Sequence, residues 1–70
     1  MKSDIEFFTK LMHEKVALEQ LKGIVDELPL IEGLPSVMKL DIAKFVGHVN
    51  RELGITTRTY EDISRKIINL

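Results

Sequence analysis

The chain has no cysteine and no tryptophan, and its aromatic residues are three phenylalanines and one tyrosine. Without cysteine it can form neither a disulfide nor a thiolate metal site, and it is compatible with a reducing compartment. Both common covalent and metal staples of small domains are therefore missing. At 70 residues a core is small and marginal unless helix packing is good or a second chain adds to it. No sign of charge dominates either: ten Lys and Arg against eleven Asp and Glu give a net charge of −1. That balance lacks the strongly positive field of a dedicated nucleic-acid binder. The distribution is uneven, with residues 1–35 at −3 (four Lys, seven acids) and residues 36–70 at +2 (six bases, four acids). No apolar run is long enough to cross a bilayer and no leader pattern opens the chain. One cytoplasmic domain over residues 1–70, with no membrane partner, is the expectation.

Catalytic and cofactor signatures are missing too. The sequence holds no Ser-His-Asp arrangement and no glycine-rich phosphate loop, so no enzyme and no cofactor are expected. His13 and His48 sit on helix flanks, and Glu14 and Glu52 do not complete a ligand set of three or four, so no metal is expected. Asp26, Glu27 and Glu32 read as acids solvating a loop.

What is present is helical patterning. A first helix is expected over about 4–27, with Ser3 as N-cap and Glu6 at capping-box spacing. Pro29 biases Leu28 away from helical geometry and closes it, and Gly23 is its weak point. Residues 28–36, with two prolines and a glycine, form the linker. A second helix is expected over about 37–53, ended by Gly54 in a left-handed cap. A third follows over about 60–70, with Thr59 as N-cap and Asp62 in the capping-box position. The fold class is all-α: one long N-terminal helix packed on a helical hairpin.

At 100° per residue, Met38, Ile42, Phe45, Val46, Val49 and Leu53 share one stripe of the second helix. Tyr60, Ile63, Ile67 and Leu70 share one stripe of the third. The first helix carries two: Ile5, Phe8, Met12 and Val16, and, roughly 140° around, Phe7, Leu11, Leu18, Leu21, Val25 and Leu28. A helix over residues 4–27 is about 36 Å long, whereas a compact domain of this size has a radius of gyration of about 11 Å. The first helix should overhang its domain and leave an apolar stripe for another chain. Leu40 and Ile68, off their own stripes, would extend that patch.

One stretch points elsewhere. Residues 46–65 resemble the helix-turn-helix family: Gly54 stands where the turn glycine belongs, Val49, Leu53 and Ile55 supply its apolar neighbours, and Tyr60 and Ile63 the buried residues of the next helix. The resemblance implies DNA contacts from Thr56, Thr57, Arg58 and Arg65. Asn50 departs from the small residue usual four positions before the glycine. Glu61 and Asp62 would face the phosphates.

The sequence thus predicts a small non-enzymatic interaction or regulatory protein. It binds a partner protein through an apolar helix face, as a homodimer through the first helix, with Ile5, Phe7, Phe8, Leu11, Met12 and Val16 as the interface. The alternative is a helix-turn-helix DNA-binding regulator.

Overall fold

A computed structural model describes residues 2–69, with Lys2 described by its backbone alone; Leu70, assigned above to an apolar stripe, lies outside the described residues. The described residues form two long helices packed side by side: α1, Lys2–Val25, and α2, Ser36–Ile68, joined by a connection that contains a one-turn 3-10 helix, Leu28–Leu30. The all-helical class holds. The third helix does not exist as a separate element, because α2 runs through Gly54 to Arg58 without a break.

Its continuity has a cause in the sequence. In α2 the residues facing inward are Ile42, Val46, Val49, Leu53, Thr56, Tyr60, Ile63 and Ile67. They alternate at spacings of four and three, the pattern of a helix that keeps one seam against a straight partner. The phase does not slip across the expected turn, since Leu53, Thr56 and Tyr60 continue it. A single helix buries the whole row, whereas a turn would interrupt it. Gly54 is accordingly not a left-handed cap; among the described residues the positive-φ glycine is Gly33, at +85°. Thr59 caps nothing, and its Oγ1 donates back to the Ile55 carbonyl at 3.0 Å, as threonines inside helices do. The helix ends one turn after Arg65 and Lys66, whose charges suit its C-terminus.

Helix α1 presents the matching row: Phe8, Leu11, Lys15, Leu18, Lys22 and Val25, again spaced by three and four. This seam draws from both apolar stripes read in the sequence, taking Phe8 from one and Leu11, Leu18 and Val25 from the other. Helix α1 starts at Lys2, so Ser3 lies in its first turn and is not its N-cap. It stops at Val25, two residues before the expected end. The Asp26 amide still donates to the Lys22 carbonyl at 2.9 Å, but the Glu27 amide donates to Ile24 at 3.2 Å, the tighter winding that leads into Leu28–Leu30. Pro29 fits that first turn, and Gly33 reverses the chain in a conformation open chiefly to glycine.

The result is a rod, with extents of 53 × 15 × 14 Å and a radius of gyration of 16.0 Å, against about 11 Å for a globular chain of this length. The expected overhang of α1 is thus replaced by a longer α2 lying along it. Two helices form only one seam. Val25 and Val49 are 2% exposed, Leu11 is 7% and Thr56 is 8% exposed, but the rest of the seam is half-buried. The chain exposes 5513 Å², whereas a compact 8.0 kDa monomer exposes about 4,450 Å².

Candidate functional surfaces

The six residues expected at an interface divide in two. Leu11 is buried in the seam, and Phe8 is half-buried with its ring stacked on Tyr60, centroids 5.0 Å apart and planes at 24°. These two close the hairpin itself. Ile5, Phe7, Met12 and Val16 remain exposed. On α1 the seam residues occupy the first and fourth positions of a repeating seven, so Ile5, Met12 and Val16 fall on one side of the seam and Phe7 on the other.

The two sides of the rod differ in chemistry. In an antiparallel pair, equivalent flanking positions of the two helices share a side. Beside Ile5, Met12 and Val16, and the Glu19 and Asp26 that continue their side of α1, stand Leu40, Ala43, Gly47, Asn50, Gly54, Thr57, Glu61, Ser64 and Ile68 of α2. Leu40 and Ile68 are both exposed, and they are the two residues that the stripes of α2 left unexplained. A Cβ added at Gly23, Gly47 or Gly54 would meet nothing within 4 Å, and all three glycines lie on this side. The opposite side holds Phe7, Ile24, Met38, Phe45 and Ile55, all exposed, interrupted by Glu14 and Glu52.

Lys15 lies in the seam rather than beside it. Its ammonium reaches over the Tyr60 ring, 5.7 Å from the centroid, and pairs with Glu19. The hydrogen bond to Glu19 is the main reason its pKa is raised. Desolvation opposes the shift, and the charges of Glu19, Tyr60 and Glu61 add to it. Lys22, one heptad on, pairs with Asp26. Both lysines lay their aliphatic stems along the seam and keep their charges at its edge.

The four residues of the DNA-reading alternative are not gathered into one face. Thr56 is 8% exposed and faces α1, Thr57 is half-buried beside it, and Arg58 and Arg65 point outward. The turn that would present them is not formed. Arg58 and Arg65 instead belong to a row that was missed in the sequence: Lys44, Arg51, Arg58 and Arg65 recur every seven residues and all are exposed. Among the described residues no ion pair reaches any of them, and Arg58 donates from Nε to its own helix at the Gly54 carbonyl, 3.3 Å away. Splitting α2 into two helices hid the row, because its period is visible only when the phase is carried through residue 56. The outward row of α1 at the same spacing is Glu6, His13 and Gln20, also exposed, with the exposed Glu27 just beyond its end.

Both histidines are exposed, on different helices. Among the described residues no group of three His, Asp or Glu side chains is placed to hold a metal ion. A shallow cleft at the open end is lined by Asp4, Ile63, Lys66 and Ile67. No described helix is long and apolar enough to cross a membrane. No protein-family model, curated protein or solved structure matches the chain.

Proposed function

We propose that this chain is a small non-enzymatic interaction or regulatory protein, acting in the cytoplasm. It works as a homodimer through α1 and binds by burying an apolar helix face. The observation that carries this reading is the exposure of Ile5, Met12 and Val16 on a helix whose own partner is already fully engaged on another side. Exposed apolar side chains are common singly, but a contiguous row along a rod marks an association surface. Sedimentation velocity at micromolar concentration tests it. The wild type should sediment as a dimer, and Val16→Glu should shift it toward monomer. A wild type that remains monomeric throughout would overturn the reading.

The DNA-binding alternative loses its turn but gains the exposed row of Lys44, Arg51, Arg58 and Arg65. Asp41, Glu52, Glu61 and Asp62 beside that row oppose a phosphate backbone. Four phosphate contacts would give a salt slope of about −3.6 in log–log terms on duplex DNA, and no binding at low salt would dispose of this reading.

A further inference from the structure

Resting on the homodimer reading, we propose how the second copy docks: the two rods stack with α1 of each lying on α2 of the other, both interhelical connections at the same end, through the side that carries Met12 and Val16. Three independent observations lead there.

The first is area. A single chain exposes about 1,000 Å² more than compact chains of its mass, while a standard specific interface removes about 800 Å² from each partner. One face-to-face contact between two rods is of the right size to remove the excess.

The second is shape. On the chosen side α1 offers large residues, Ile5, Met12 and Val16, whereas the middle of α2 offers Ala43, Gly47, Asn50, Gly54 and Thr57. With Phe8 opposite Tyr60, Met12 stands level with the turn from Gly54 to Thr57, and Val16 with the turn from Asn50 to Gly54. Stacking α1 on the partner's α2 at equal height sets large side chains over glycines. No intrachain contact accounts for these glycines, since each would accept a Cβ freely within the lone rod. Each nevertheless weakens its helix by roughly 0.5–1 kcal/mol relative to alanine. Close approach by a neighbouring backbone gives them a use.

The third is charge. Among the described residues the outer edge of α2 is the unpaired row Lys44, Arg51, Arg58 and Arg65, whereas that of α1 is Glu6, His13 and Gln20, with Glu27 just beyond its end. Two symmetric ways exist to stack such rods with the same sides facing. A twofold axis across the rods places α1 on α1 and α2 on α2, setting acids on acids and cations on cations. A twofold axis along the rods places α1 on α2. At equal height Glu6 then lies between the partner's Arg58 and Arg65, and Glu27, in the connection, lies near its Lys44. The second arrangement keeps the two cationic rows apart and sets Glu6 beside one of them.

The chain has no cysteine, so one introduced thiol reports on one site. Glu32→Cys, in the exposed connection, is labelled with a nitroxide and the interspin distance is measured by double electron–electron resonance. Connections at one end should give a distance below about 30 Å, since each rod is 15 × 14 Å across. The crossed arrangement should give about 50 Å, the length of the 53 Å rod. In the labelled background Val16→Arg should abolish the dipolar signal and Ile55→Arg, on the other side, should preserve it. A distance near 50 Å, or loss of signal with Ile55→Arg but not Val16→Arg, overturns this docking while leaving a homodimer standing. Absence of any dipolar signal in the labelled wild type would overturn the homodimer as well.

Discussion

Thr56 and Ile55 are neighbours, and substituting each with aspartate distinguishes a continuous α2 from two helices joined by a turn. In the structure Thr56 is 8% exposed and faces α1, while Ile55 is 44% exposed on the outside. Thr56→Asp therefore moves a carboxylate into the seam, where Lys15 is already held by Glu19 and the Tyr60 ring. Burial of this kind raises a carboxyl pKa by up to about three units or more, and three units correspond to about 4 kcal/mol at neutral pH. A domain of this size has only about 4–10 kcal/mol in total. The melting temperature should fall by on the order of 15–30 °C, or the chain should fail to fold. Ile55→Asp should change stability by less than about 1 kcal/mol. The assay is thermal and urea unfolding followed by helical circular dichroism at one protein concentration. Lowering the pH supplies a check of sign: the introduced carboxyl has a raised folded-state pKa, so its penalty shrinks as pH falls through that value. Were residues 54–58 a turn, the order would reverse, with Ile55 the buried apolar neighbour of the turn and Thr56 exposed. A severe Ile55→Asp beside a mild Thr56→Asp would refute the continuous helix.

The two adjacent phenylalanines should behave differently for the same kind of reason. Phe8→Ala removes the ring stacked on Tyr60 and should cost about 3 kcal/mol or more in urea unfolding, whereas Phe7→Ala, at 47% exposure, should cost less than about 1 kcal/mol; equal losses would contradict the seam assignment. For Lys15, the folded-state pKa is raised from its ordinary value of 10.5, chiefly by the Glu19 hydrogen bond. Its contribution is present in full below that ordinary value and is lost as pH rises through the higher folded value. The melting temperature of the wild type relative to Lys15→Met should thus hold steady from pH 7 to 9 and drop only at more alkaline pH. A difference that instead fell away between pH 7 and 9 would refute this account of Lys15.

The parts of this fold that were legible in the sequence are those that strong local signals specify. Pro29, Gly33 and Pro35 mark the connection unambiguously, and the apolar spacing of α1 is long enough to identify a helix. Gly54 misled because a leucine–glycine–isoleucine step reads locally as a helix ending. Its weight was local, whereas the decisive information was the phase relation between Leu53 and Tyr60, carried by a threonine that apolar counting overlooks. Thr56 has a methyl group as well as a hydroxyl and fills a seam position that a valine would also fit. The same oversight hid the cationic row, since Arg51 and Arg58 fall on one line only if the helix between them is intact. The two stripes of α1 were correctly seen as too many for one face, but their division was not. The seam lies between them, taking Phe8 from the edge of one and Leu11, Leu18 and Val25 from the other.

The single seam also shapes how the hairpin comes apart. Its rungs form a ladder in order of increasing chain separation, starting beside the connection, where Val25 meets the first turns of α2, and ending at the aromatic pair Phe8–Tyr60. Each rung closes a loop only slightly larger than the one before it, at little extra entropic cost. Closure therefore proceeds like a zip from the prolines outward. Trimming the free tips shortens the ladder by whole rungs, while an added residue within either helix throws every rung beyond it out of step.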